Sequence, residues 1–222
     1  MFRIWERLGL SEVPQAVLWD LDGTLVDSES AWVAYSKDVV LAQGGIWEDA
    51  DSAYIFGVSK LEHANRLAQA IARGGGEPND PCALYAMVED SMRTKAYPNT
   101  TLLPGAAELL VVLRDVGVPQ VLVTATAADL VDVVLSALPE HYFNALVTGS
   151  DPVPAKPDPA PYLLGAKRVG AEISRCLIFE DSAVGLAAAR ASSTNVVDVS
   201  ATPLVELAAL LSDPQTCPRA DL

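Results

Sequence analysis

Asp20 and Asp22 stand two positions apart at the end of the apolar run Ala16-Val17-Leu18-Trp19, with Gly23 and Thr24 directly behind them. Four apolar residues suit a buried strand. Along extended backbone alternate side chains share a side, so both carboxylates leave one strand mouth while Leu21 turns into the core. Like charges held this close are costly unless a cation lies between them or one keeps its proton. The pair therefore suits metal-assisted chemistry. Asp-Gly is also a common turn dipeptide, and a plain turn is the competing reading until the rest of the chain supplies partners. A calcium loop is set aside, because its glycine stands sixth whereas Gly23 is fourth counting from Asp20.

Three further places bring polar groups to strand ends or their loops. Thr124 follows the apolar run Gln120 to Val123, Lys156 stands between Pro154 and Pro157, and Glu180-Asp181 follows Cys176 to Phe179. Each has an ordinary alternative: a β-branched residue at a strand end, a solvated loop lysine, and helix N-caps in Asp181 and Ser182. Their positioning elements are legible as alternating periods. Strands are expected at 16–19, 120–123, 145–147, 176–179 and 195–199. Helices are expected through Leu109 to Leu113, at 129–138, 160–169, 182–191 and 204–211. Strand-helix alternation predicts an α/β fold with a parallel sheet covered on both faces, and in such a sheet ligands sit outside the carboxyl ends of the strands. Residues 27–100 differ, with apolar residues at helical spacing (Trp32, Tyr35, Val39, Val40; Leu61, Ala64, Leu67, Ile71; Leu84, Met87, Val88, Met92) and breaks at Gly44-Gly45, Gly74 to Gly76 and Pro78 to Pro81. Met1 to Pro14 reads as a short extension that packs through Phe2, Ile4, Trp5 and Leu8 or frays.

The chain has 222 residues, half of them apolar, enough for one large domain or a domain with a smaller insert. A formal net charge of -14 argues against nucleic acid or an anionic membrane as partner, since both need clustered Lys and Arg. Cys82, Cys176 and Cys217 form no C-x-x-C pair, which fits a reducing, cytoplasmic setting, with Cys176 as core packing. With His63 and His141 the only histidines, a zinc site is not expected. Nothing in the sequence calls for an oligomer.

The combination Asp20-Leu21-Asp22-Gly23-Thr24-Leu25, Thr124 after an apolar strand, Lys156-Pro157 and Glu180-Asp181-Ser182 resembles the haloacid dehalogenase-like hydrolase superfamily. The likeness is greatest to its branch of sugar phosphatases and β-phosphoglucomutase-like enzymes, and it covers nearly everything beyond Pro14. It implies a Rossmann-like core from residues 1–26 and 101–222, with an α-helical cap inserted at 27–100. By the same resemblance Asp20 attacks phosphorus to form an aspartyl-phosphate, and Asp22 protonates the leaving alkoxide and then activates water. Magnesium is implied on Asp20, the backbone carbonyl of Asp22 and Asp181, with Glu180 either a ligand or one step behind. Thr124, Gly23, Thr24 and the backbone N–H of Ala125 are implied phosphate contacts, and Lys156 balances the charge of Asp20 and the phosphoryl group.

The chain departs from the family pattern in three places. Ala125 stands where relatives often have Asn or Ser, Ser192-Ser193 where they commonly have Ala-Gly, and Trp32 where the mutases place a histidine. The last favours hydrolysis over mutase activity. Phe56 to His63 looks like the family's cap loop, which makes Lys60, His63 and Arg66 candidate substrate contacts, with Arg93 and Lys95 as outsiders; a solvated helix face is the alternative for each. A closing cap implies a small phosphate ester, such as a sugar phosphate. Two other readings remain: a hexose-phosphate mutase, motivated by Gly57-Val58-Ser59, and a non-catalytic binding protein on the same scaffold.

Overall fold

The computed structural model describes residues 5–6, 8, 10–77 and 80–212. Expectations for Phe2, Ile4, Pro78 and Cys217 lie outside the described residues. β1 (Ala16–Trp19), β2 (Gln120–Val123), β3 (Ala145–Val147), β4 (Cys176–Glu180) and β5 (Asn195–Asp198) form one sheet in the order β3-β2-β1-β4-β5. Every neighbouring pair is parallel. The chain builds outward from β1 to β3, then returns to the other side of β1 for β4 and β5. Strand order therefore reverses at β1, which puts the crevice at the mouth of the Asp20 strand.

All four β1 residues are buried, and their alternation divides the core in two. Val17 and Trp19 face the cluster of α5 (Ala106–Asp115), α6 (Ala128–Ala137) and α9 (Leu204–Ser212), which supply Leu109, Leu110, Leu130, Val134 and Leu207. Ala16 and Leu18 face α7 (Ala160–Arg168) and α8 (Ala183–Ala191), through Tyr162, Ala166, Ala188 and Ala189. Fully burying a Leu or Val side chain contributes about 1.5–3 kcal/mol, so a sheet covered on both faces is strongly held. Trp5 is buried against the first cluster and Leu8 packs on it, as expected of the N-terminal extension.

Between β1 and α5 the chain is helical: α1 (Glu29–Ala42), α2 (Asp49–Tyr54), α3 (Lys60–Arg73) and α4 (Pro81–Ser91), then a π-helical turn at Met92–Ala96 and a 3-10 turn at Tyr97–Asn99. It has its own apolar cluster of Val39, Val40, Leu67, Ala70, Ile71, Leu84 and Val88. Its ends meet: Val26 bridges Leu102, and the Leu103 N–H donates to the Leu25 carbonyl at 2.8 Å. The glycine-rich breaks are a close crossing of two turns, because a Cβ on Gly74 would lie 2.3 Å from the Gly44 carbonyl oxygen. No described helix is long and apolar enough to cross a membrane.

Element ends differ from expectation by one residue at β4, β5, α6, α7, α8 and α9. β4 runs on to Glu180 and β5 ends at Asp198, because Glu180 and Asp198 still pair. α8 starts at Ala183, with Ser182 as N-cap accepting from the Gly185 N–H at 3.0 Å. Ser193, just past that helix, has φ +63, the left-handed conformation that glycine adopts freely; its departure from the family pattern thus bears on the helix end.

Candidate active site

The register places the acids. Trp19 pairs with Phe179, and their rings stack at 4.2 Å, so the next residues, Asp20 and Glu180, emerge side by side. Asp20, Glu180 and Asp181 each offer a carboxylate oxygen within 4.8 Å of the others. Lys156 reaches in from the loop after β3: its ammonium donates to Asp20 Oδ1 at 2.6 Å, to Glu180 Oε1 at 2.8 Å and to the Val123 carbonyl at 3.1 Å. It is buried, and the two carboxylates hold its charged form against the penalty of burial. The reading of Lys156 as a solvated loop lysine is thereby excluded.

One positive charge among three carboxylates is too little. Burial raises the Asp20 carboxyl well above the ordinary range; Lys156 opposes the rise, while Glu180 and Asp181 add to it. Burial likewise pushes Asp181 up to about 7, against the pull of the Thr24 hydroxyl and with the charges of Glu180 and Glu29. Oxygen donors short of positive charge are the chemistry a hard divalent cation fits. Glu180 suits that role least, since both its oxygens are tied: Oε1 to Lys156 and Tyr162, Oε2 to the N–H and hydroxyl of Ser182. Gly185 lies close behind, where a Cβ would fall 1.7 Å from Glu180 Oε1.

Asp22 has a different setting. Ser28 and Tyr97 donate hydroxyls to Oδ1 at 2.5 and 2.8 Å, the Trp32 indole N–H points at the same oxygen from 3.4 Å, and Thr126 donates to Oδ2 at 2.5 Å. Three of these partners are hydroxyls, which donate to a carboxylate and can turn to accept from a carboxylic acid. Such a cradle holds the side chain in both protonation states.

One cavity gathers Asp20, Asp22, Thr124, Ala125, Lys156 and Glu180 with Trp32, Phe56, Lys60, His63 and Tyr85 from the helical segment. Thr124 accepts from the Thr126 N–H at 3.1 Å, which leaves its proton free to donate. A family model of haloacid dehalogenase-like hydrolases matches residues 14–192. The chain belongs to that family.

Hexitol phosphatase A of Escherichia coli is 30% identical to this hydrolase over 190 residues, covering 83% of this chain and 82% of that protein. Fructose-1-phosphate phosphatase of the same species is 29% identical over 186 residues, covering 82% and 95%. The β-phosphoglucomutase of Clostridium difficile superposes with a TM-score of 0.71 at 19% identity, over 84% of each chain, a likeness of fold.

Not every expected contact reaches the cavity of the hydrolase. Gly23 and Thr24 stand behind Asp181: the Thr24 hydroxyl donates to Asp181 Oδ1 at 2.6 Å, and a Cβ on Gly23 would lie 2.4 Å from Asp181 Oδ2. Gly23 itself has φ +85, so the close approach and the backbone both call for glycine there. Arg66 is corrected, because it pairs with buried Asp51 at 2.6 Å, lies over the Tyr54 ring and does not line the cavity. Lys60 lines it but pairs with Glu89 at 2.8 Å. His63 is buried, with Ser36 Oγ 2.8 Å from its Nε2, and burial holds its pKa down at about 4. Of the outsiders, Arg93 pairs with Asp129 and Lys95 lies over the Tyr35 ring.

Ser28, Thr126, Tyr97 and Tyr85 were missed by sequence reasoning. Thr126 had a signal, since it stands two residues after Thr124 and alternation turns both to one side.

Proposed function

We propose that this hydrolase is a magnesium-dependent phosphatase that cleaves a small sugar phosphate, or a related phosphate monoester, through a phospho-Asp20 intermediate. The observation that carries it is the pairing in one cavity of buried Asp20, set against Lys156 and an acidic cluster, with Asp22 in its hydroxyl cradle. The phosphatases of hexitols and of fructose 1-phosphate among the relatives support the substrate class. Residues 27–100 act as the cap and the remainder as the catalytic core. Widely spaced free cysteines, Cys82 and Cys176, suit a cytoplasmic setting.

Asp20 attacks phosphorus, and the ester oxygen leaves as the aspartyl-phosphate forms. Lys156 stabilises the charge that gathers on the transferring group, an effect that grows where water is excluded. Thr124 donates to a phosphoryl oxygen, and Ala125 offers only its backbone. Asp22 gives its proton to the leaving oxygen and then draws one from the water that hydrolyses the intermediate; the hydroxyls of Ser28, Tyr97 and Thr126 turn with each change. Asp20, Asp181 and the backbone carbonyl of Asp22 would hold magnesium, with Glu180 acting behind them through Lys156. A cation held there supplies the positive charge that lets ionised Asp20 and an anionic phosphoryl group approach.

The test is hydrolysis of a panel of sugar and polyol monophosphates with magnesium. Turnover is expected to be lost with a chelator, restored by magnesium, and abolished in Asp20→Asn with the fold retained by circular dichroism. Wild-type turnover in Asp20→Asn sinks the reading. Bisphosphate-dependent isomer interconversion that outpaces phosphate release replaces it with a mutase.

A further inference from the structure

Tyr85, on α4, lines the same cavity as Asp20 and Asp22. Three groups hold its ring: the Trp32 indole stacked at 5.9 Å, the His63 imidazole edge-on at 5.0 Å, and the Lys60 ammonium 4.9 Å from the ring centroid. Lys60 is itself anchored by Glu89 at 2.8 Å. A ring clamped in this way carries its hydroxyl to one place. Tyr97 and Tyr162 bond their hydroxyls to Asp22 and Glu180, but among the described residues the Tyr85 hydroxyl has no hydrogen-bond partner. Burial, helped by the charges of Glu89 and Asp22, pushes this phenol up, so it keeps its proton throughout the working pH range. Tyr85 is half-buried, so its unpaired hydroxyl is left to solvent or to a ligand in the cavity that it lines.

The charges around it restrict what that ligand carries. The wall holds the acids Asp20, Asp22, Glu29 and Glu180. Its two lysines are tied to carboxylates, Lys156 to Asp20 and Glu180 and Lys60 to Glu89. His63 is neutral near pH 7, since burial holds it at about 4. Lys156 meets the phosphoryl end, together with the cation that the acidic cluster would hold. A second anionic group, on the leaving side, finds no untied cation among the described residues lining the cavity to balance it. Hydroxyl groups carry no such penalty.

We propose that Tyr85 is a specificity-determining residue of this site, its hydroxyl bonding a hydroxyl of an uncharged polyol or sugar leaving group, while the acid-lined wall turns away leaving groups that carry a carboxylate. The inference rests on the phosphatase reading above and adds the side of the site that reads the leaving group.

Kinetics of the wild type and Tyr85→Phe with magnesium on glucitol 6-phosphate, phosphoglycolate and ethyl phosphate test it. The phenylalanine keeps the ring packing, and a melting temperature near that of the wild type checks the fold. The wild type is expected to prefer glucitol 6-phosphate to phosphoglycolate by about tenfold or more in kcat/KM. Tyr85→Phe should raise KM for glucitol 6-phosphate about five- to tenfold, the loss of one hydrogen bond. For ethyl phosphate, whose leaving group has no second hydroxyl to offer Tyr85, kcat/KM should stay within about twofold. An unchanged KM for glucitol 6-phosphate, an equal loss on ethyl phosphate, or a wild type that favours phosphoglycolate overturns the inference while the phosphatase reading stands. A wild type that leaves glucitol 6-phosphate intact but hydrolyses another ester of the panel overturns the inference alone; one that hydrolyses no ester of either set overturns the phosphatase reading and this inference with it.

Discussion

Lys156 is enclosed so fully that its loss cannot be made good by water. Its ammonium sits 2.6 Å from Asp20 and 2.8 Å from Glu180, and Lys156→Met leaves two buried carboxylates facing each other. Breaking a buried pair from one side costs about 3–5 kcal/mol, and removing one preorganised positive partner of the transferring group costs about 10²–10³ in rate. We expect Lys156→Met to lower the urea midpoint by an amount corresponding to about 3 kcal/mol and kcat by at least about a hundredfold. Near-wild-type turnover would remove Lys156 from the chemistry. The charged members of the site were legible because Asp20, Asp22, Lys156 and Asp181 stand at strand ends or in the loops that follow, where few other roles suit a charge. The hydroxyls were not. Tyr97 reaches Asp22 across 75 positions of sequence, and tyrosine and serine are too common for their type to announce a contact made only in the folded chain.

Among the elements, strands 16–19, 120–123 and 145–147 were readable to the residue, because a sheet buried on both faces leaves continuous apolar runs. Gln120 is the exception inside such a run, and its side chain is satisfied by the Trp19 indole at 3.0 Å and the Leu110 carbonyl at 2.9 Å. Arg66 was misread because amphipathic helix spacing says which face a residue occupies and not which acid it meets. That acid is Asp51, fully buried at the start of α2. It accepts from the Glu48 N–H at 2.7 Å, closing a capping box, and bonds Arg73 at 2.8 Å. Burial opposes its charge, but the Arg73 bonds, the Glu48 N–H and Arg66 hold its carboxyl below the ordinary range. Asp51→Ala removes the cap bond and strands two arginines, so a loss of about 2 kcal/mol or more is expected. The arginines remain partly exposed, which keeps the cost below that of a fully buried pair. Chemical denaturation measures it; a change under about 0.5 kcal/mol means that the clamp contributes nothing to stability.

At the scale of the molecule, the sheet and the helical segment come together around the cavity, and the segment's contribution there was the least legible part of the chain. Helical periodicity located an apolar face, but which of Lys60, His63, Arg66 and Tyr85 reaches the cavity depends on how four helices pack. His63 shows the result. It lies 5% exposed between Ser36, Trp32 and Tyr85, and burial lowers its pKa from 6.5 to about 4. The sign follows from which state binds the proton. Between about pH 6.5 and 4 the unfolded chain protonates His63 and the folded chain does not, so stability is complete above 6.5 and falls as the pH drops through that window. Carried down to pH 4.5 the loss from this residue is about 2–3 kcal/mol. Carboxylates titrate in the same range, so the isolating comparison is His63→Gln, which lacks this proton. Urea denaturation at pH 7 and pH 4.5 should show the wild type losing about 2–3 kcal/mol more than the variant. Parallel losses in the two proteins would mean that His63 takes up its proton as readily in the fold as in the unfolded chain, and that the aromatic wall beside Tyr85 admits water.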